Sequence, residues 1–272
     1  MPFVQTADGT RLAYEDYGSG TPLVFVAGWA LHADMWEYQV PFFVEQGYRC
    51  VLLDRRGHGR SERASAGYDM DTLGDDLAAL LEQLDLREAV LIAHSFGGHE
   101  VAHCLSRHGE ERVARIVLVA STLPSLRRGP ANPDGLPAAA GAAVLDAQRR
   151  DRVKWLVDNA APYFAAHLGN EVAPAYVEET IRQILSTSPM ASLEVTRTNF
   201  GAAHEEELSK LGVPALVVHG DADMSAPVEF TGRRTARLIP GCRYMEYQGA
   251  AHGLYFTHRD RLNADILGFL AG

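Results

Sequence analysis

The hexapeptide Ala93-His94-Ser95-Phe96-Gly97-Gly98 joins the apolar run Ala89-Val90-Leu91-Ile92 to a stretch of helical character, Glu100-Val101-Ala102-His103-Cys104-Leu105. A strand that turns into a helix within two residues forces the corner residue into a strained backbone conformation, so its neighbours must be small. Ser95 stands at that corner, with Ala93, Gly97 and Gly98 around it. The turn lifts its hydroxyl to a helix N-terminus, where free N–H groups favour developing negative charge. The spacing is that of a small-x-Ser-x-Gly nucleophile corner.

The elements around this corner alternate. Phe3 to Thr6 and Arg11 to Tyr17 read as a hairpin about Asp8-Gly9. Continuous apolar runs follow at Leu23–Ala27, Tyr48–Leu53, Ala89–Ile92, Ala114–Ala120 and Pro214–His219, then a strand at Cys242–Tyr247. Such runs suit strands covered on both faces. Helices are predicted over Trp36–Gln46, Asp71–Leu84, Glu100 to about His108, Val228–Leu238 and Arg259–Leu270. In the second of these, Leu73, Leu77, Leu80, Leu81 and Leu84 form one face, with Asp75 and Asp76 on the other side. Strands alternating with helices imply an α/β fold: a mostly parallel eight-stranded sheet with helices on both faces. The alternation lapses over residues 122–212. There a Pro/Gly-rich loop, Pro124 to Gly141, precedes helical patterns at Asp146–Asn159, Ala173–Leu185 and Pro189–Ala203. The expected organisation is a core of residues 1–121 and 213–272 with a helical cap, 122–212, over the C-terminal edge of the sheet, where such folds place ligands.

A serine hydroxyl needs a base, and the base needs an orienting group. The strand ending at His219 runs into a loop with two carboxylates, Asp221 and Asp223; the strand ending near Tyr247 runs into Gly249-Ala250-Ala251-His252-Gly253. Serine, acid and histidine thus follow one another in the chain, each just beyond a strand. An oxyanion hole is expected from the backbone N–H groups of Phe96 and Trp29, with Gly28 letting the Trp29 amide turn inward. The aromatic side chains of Trp29 and Phe96 are expected to contribute to an apolar substrate-binding site.

The chain resembles the α/β-hydrolases, and most nearly the cofactor-free bacterial haloperoxidase and esterase group. The resemblance rests on Asp54-Arg55-Arg56-Gly57-His58-Gly59-Arg60-Ser61, on Asp75 through Leu86, and on His94-Ser95-Phe96-Gly97-Gly98. It implies the α/β-hydrolase fold, no cofactor or metal, and Asp223 rather than Asp221 as the acid, from the pattern Gly220 to Pro227. It also implies a serine esterase or lactonase acting on a small acyl substrate, with perhydrolysis, and through the peracid halogenation, as a side activity. Two residues depart from the family pattern: Ala27 replaces a histidine before the oxyanion glycine, and Ala93 opens the nucleophile pentad.

A formal charge of -10 disfavours nucleic acid as a partner. No apolar run approaches the roughly 18 residues of a membrane span, and no secretion signal is read at the start. Cys50, Cys104 and Cys242 are widely separated, as suits reduced thiols in the cytoplasm; a homo-oligomer is left open. The glycine-rich turn after Leu53 lacks the Lys-Ser/Thr ending of a P-loop and reads as structural. His99-Glu100-Val101-Ala102-His103 matches the zinc-protease pattern, but a helix packed on a sheet leaves little room for metal, and nothing nearby in sequence suggests a third ligand. His94 and His32 are candidates for the pocket wall, more simply read as packing. His58, Asp34, Trp36 and Asp54 read as structural. Carbon–carbon bond hydrolysis or cofactor-free oxygenation on the same scaffold is the alternative chemistry. A non-catalytic binding protein would have no use for the nucleophile and base.

Overall fold

The computed structural model describes residues 2–272, so Met1, part of the N-terminal reading above, lies outside them. Strands β1 (Phe3–Gln5), β2 (Arg11–Gly18), β3 (Pro22–Val26), β4 (Arg49–Leu53), β5 (Ala89–His94), β6 (Val113–Val119), β7 (Ala215–Gly220) and β8 (Arg243–Tyr247) form one sheet. Its order is β1-β2-β4-β3-β5-β6-β7-β8, antiparallel in the first two pairings and parallel thereafter. The order reverses at β3, which lies between β4 and β5. A crevice opens there beyond the strand ends, the position at which open α/β sheets bind ligands.

Because side chains alternate across a strand, each central strand feeds two cores. Leu23, Phe25, Val90 and Ile92 face one side, with Trp36 and Phe43; Val24, Val26, Leu91 and Ala93 face the other, with Leu77 and Val101. The helices covering these faces are α1 (Gln39–Glu45), α2 (Met70–Gln83) and α3 (Gly97–His108). Helices α4 (Ala138–Phe164), α5 (Pro174–Ser186), α6 (Pro189–Gly201) and α7 (Glu205–Ser209) lie between β6 and β7; α8 (Gly232–Leu238), α9 (Leu254–Thr257) and α10 (Arg259–Ala271) follow.

Three local expectations need correction. The helix expected at Trp36 is a 3-10 turn, Ala33–Trp36, before α1 begins at Gln39. The loop expected to Gly141 ends earlier, because the alanine-rich stretch from Ala138 joins α4; strong helix formers do this without an amphipathic stripe. That helix breaks at Asp151, whose φ and ψ are -161° and 91°. Asp76, assigned to the far side of α2, is buried. It accepts hydrogen bonds from Arg56 Nε and Nη2 at 2.6 and 2.7 Å. A buried carboxylate of this kind depends on its guanidinium partner.

The passage from β5 to α3 is tight. A Cβ added at Gly97 would lie 2.8 Å from the Val26 carbonyl oxygen and 2.9 Å from that of Ala27, both backbone atoms. We expect Gly97→Ala to destabilise the protein by about 1–3 kcal/mol through overpacking, read as a lowered thermal midpoint; an unchanged midpoint would show that the strand end yields freely.

Burial depresses the basicity of several histidines, His58 and His94 among them. His58 lies well below its ordinary pKa of 6.5, held down by burial and then by the Arg55 charge; His94 is pushed down to about 3 by burial and then by His252. Below pH 6.5 the unfolded chain takes up protons that the folded chain refuses, so stability falls with pH until the folded groups protonate. The slope approaches about 1.4 kcal/mol per pH unit per group. The urea midpoint should therefore drop between about pH 7 and pH 5, and drop less in His58→Gln. A flat profile in the parent protein would contradict this.

Candidate active site

Ser95 occupies the β5–α3 corner with φ 53°, a left-handed conformation that side chains other than glycine rarely adopt. Its backbone is held on both sides. Its N–H donates to the Val119 carbonyl on β6 at 3.0 Å, and its carbonyl accepts from Gly98 N and Ser121 Oγ, each at 3.1 Å. The strained corner therefore holds Oγ in one place.

From Oγ a chain of contacts runs across the C-terminal ends of the strands. Ser95 Oγ lies 2.8 Å from His252 Nε2, and His252 Nδ1 lies 2.8 Å from Asp223 Oδ2. The other carboxylate oxygen of Asp223 accepts the N–H groups of Ser225 and Ala226, each at 2.8 Å. Burial opposes ionisation of Asp223, but the His252 and His219 imidazoles more than offset it and hold the carboxyl well below its ordinary range. All three residues are buried. Asp221 goes elsewhere: its Oδ1 accepts Gly249 N at 2.7 Å and ties the β8 loop to that of β7.

The loop after β3 passes beneath Ser95. A Cβ at Gly28 would lie 2.5 Å from His94 Nδ1 and 3.3 Å from Ser95 Cβ, so only glycine fits there. The backbone N–H groups of Trp29 and Phe96 have no acceptor among the described residues. A buried ion pair absent from the sequence reading fixes this loop. Arg55 Nε donates to Glu100 Oε1 at 2.6 Å, while its Nη atoms donate to the carbonyls of Ala27 at 2.7 Å and Gly28 at 3.1 Å. No local pattern could reveal the pair, since 45 residues separate the partners. Asp54, read as structural, accepts the Ala33 and Arg60 N–H groups at 2.9 and 2.8 Å.

A cavity of about 340 Å³ opens above Ser95 and His252. Its wall is largely apolar, from Leu126, Trp155, Ile181, Ile184 and others of the β6–β7 segment, with the amides of Gln148 and Asn199 among them. Trp29 lines it, edge-on to Trp155 at 5.4 Å, with its indole N–H donating to the Ser192 carbonyl at 3.0 Å. The expectation for Phe96 needs correction. Its ring does not line the cavity but is buried with Tyr68, Leu73, Ala191 and Val195, under the Arg55 guanidinium, because it points off the opposite side of the corner. His94 reaches the cavity wall, and its Nε2 lies 2.9 Å from the His252 carbonyl oxygen, tying the histidine loop to the serine strand. His32 stays outside, near Asp34.

The His-Glu-x-x-His stretch is divided among different tasks. Glu100 is engaged by Arg55, and His99 is fully buried against Phe96 and His204. His103 turns toward Asp71 and Glu207. A zinc-protease arrangement needs both histidines on one ion and the glutamate free, and neither condition is met.

Comparison with known proteins agrees with this architecture. The family described as alpha/beta hydrolase fold matches residues 21–259. A non-heme chloroperoxidase of Kitasatospora aureofaciens is 36% identical over 273 residues, 99% of each chain. A bifunctional esterase/perhydrolase of Acinetobacter calcoaceticus is 34% identical over 278 residues, again 99% of each. Among solved structures, a bromoperoxidase from Bacillus anthracis superposes with TM-score 0.94 at 33% identity, covering 100% of this chain and 99% of its own. An esterase from Exiguobacterium antarcticum gives 0.95 at 27% identity, covering 99% of each. With its reversed strand order at β3, its serine corner and relatives of full length, the chain belongs to the α/β-hydrolase fold family, alongside proteins named as non-heme haloperoxidases and esterases.

Proposed function

We propose that the protein is a serine hydrolase of small, largely apolar carboxylic esters or lactones, working through an acyl-enzyme on Ser95. The observation that carries the reading is the continuous contact chain from Ser95 Oγ through His252 to Asp223, 2.8 Å at each step, at the floor of the cavity. Ser95 Oγ attacks the substrate carbonyl carbon while His252 Nε2 takes its proton. Asp223 holds the Nδ1–H tautomer and stabilises the imidazolium that forms. The N–H groups of Trp29 and Phe96 receive the oxyanion, each donor being worth about 3 to 4 kcal/mol in the transition state. His252 then returns the proton to the leaving alcohol. Water, deprotonated by the same imidazole, attacks the acyl carbon and frees the acid and Ser95.

Hydrogen peroxide in place of that water would release a peracid, a side reaction supported by the relative named as a bifunctional esterase/perhydrolase. In this reading, residues 1–121 and 213–272 carry the chemistry, and the segment 122–212, which supplies most of the cavity wall, selects the acyl group. Three free cysteines are consistent with work in the cytoplasm, and no described helix is long and apolar enough to cross a membrane.

Ser95→Ala should lower the turnover of short p-nitrophenyl esters at least about 10⁴-fold and abolish labelling by a fluorophosphonate. Retained turnover would remove the nucleophile assignment, and oxygen uptake with an aromatic substrate in place of ester turnover would favour the oxygenase chemistry instead. Compared side by side, Asp223→Asn should cost about 10³- to 10⁴-fold in kcat and Asp221→Asn only a few-fold. The reverse order would identify Asp221 as the acid.

A further inference from the structure

The outer face of α3 carries a group of side chains that ester hydrolysis does not use. His103, on α3, His204, the residue before α7, and Glu207, on α7, each offer one ligand atom, and the three atoms lie within 4.8 Å of one another. Both imidazoles address the same carboxylate: His103 Nδ1 lies 3.3 Å from Glu207 Oε1, and His204 Nδ1 lies 2.9 Å from Glu207 Oε2. The opposite nitrogen of His103, Nε2, lies 2.7 Å from Asp71 Oδ1 on α2.

An ionised carboxylate only accepts hydrogen bonds, and His103 stands between two of them. With the Nε2 proton given to Asp71, Nδ1 faces Glu207 and is satisfied either by a second proton on the ring or by a cation shared with that carboxylate. The same tautomer, with Nε2–H on a carboxylate and Nδ1 free, is the one that outer carboxylates impose on metal-binding histidines. Beside it, His204 is 3% exposed with its Nε2 unpartnered, its ring centroid 5.0 Å from that of the fully buried His99.

We propose that His103, His204 and Glu207 bind a divalent transition-metal ion of the zinc type, with Asp71 orienting His103. Two imidazoles and one carboxylate suit zinc, at about 2.0 to 2.2 Å from each donor. Tetrahedral edges are then about 3.4 Å; each imidazole already lies within that length of one Glu207 oxygen, and a shared ion needs the carboxylate to turn one oxygen between the two rings and the rings to close on it. His103 and Glu207 are partly exposed, leaving water a path to the fourth position. Two carboxylates, one in contact and one behind the histidine, balance the ion's charge.

The ion's place in the fold sets its role. It joins α3, which starts at the Ser95 corner, to α7, the last helix before β7. His103 lies two helical turns beyond that corner, roughly 12 Å along the axis, and Glu100 is locked to Arg55. The metal therefore clamps the return of the β6–β7 segment onto the core and takes no part in turnover.

Cobalt(II) and zinc(II) added to the chelator-treated full-length protein test this. One equivalent of cobalt should give the visible absorption of a tetrahedral site, and saturating zinc should raise the thermal midpoint by about 3 °C or more. Turnover of a short p-nitrophenyl ester should change less than two-fold between the chelated and loaded forms. His103→Gln and Glu207→Gln, both at partly exposed positions, should stay folded by circular dichroism and lose the cobalt band and the thermal shift. His252→Ala should keep both, which separates this site from the imidazole beside Ser95. Absence of stoichiometric cobalt binding, a band that survives His103→Gln, or a band lost in His252→Ala would each overturn the proposal. Because metal absorbance and melting need no substrate, they stand or fall apart from the proposed hydrolysis.

Discussion

The left-handed turn at Ser95 is the constraint from which the site's geometry follows. An alanine-sized side chain at Gly97 would press on the end of β3, and one at Gly98 would lie 2.1 Å from Ser121 Oγ. Neighbouring strands hold the corner through Val119 and Ser121. Strain of this kind costs of order 1–3 kcal/mol and persists only where surrounding contacts over-determine it. Here they also fix the serine hydroxyl at the start of α3 and leave the Phe96 amide free.

A second layer is electrostatic. Three consecutive residues after β4 point in three directions and tie separate parts together: Asp54 to the loop before α1, Arg55 to Glu100 and the loop after β3, and Arg56 to Asp76 on α2. Buried ion pairs contribute little net stability when compared with apolar replacements, but losing one partner is costly. Their value here is directional. Arg55 donates to the carbonyls of Ala27 and Gly28, which sets how the next amide, that of Trp29, is presented.

In the proposed reading, chemistry and selectivity are separated in the fold. Ser95, Asp223 and His252 stand on loops at the ends of β5, β7 and β8, whereas most of the cavity wall comes from helices between β6 and β7. That segment is anchored at several points to the core, including Thr187 Oγ1 donating to the Ala30 carbonyl at 2.8 Å and Thr198 Oγ1 donating to that of Tyr68 at 2.6 Å. The cluster of His103, His204 and Glu207 lies at its return to the sheet.

The strand and helix sequence, the parallel sheet and the serine corner were legible in the amino-acid order, because they are written in local periodicity and in small residues at fixed offsets. The positions of the histidine and of two candidate acids beyond strand ends were legible for the same reason. Between Asp221 and Asp223 only a family resemblance could choose, since two carboxylates two residues apart look alike until one of them meets an imidazole. The side on which Phe96 lies, the burial of Asp76, the Arg55–Glu100 pair and the meeting of His103 with a histidine and a glutamate about a hundred residues away were decided by tertiary structure alone. These are contacts between distant segments, and the identity of a side chain does not say which remote partner packing will bring within reach.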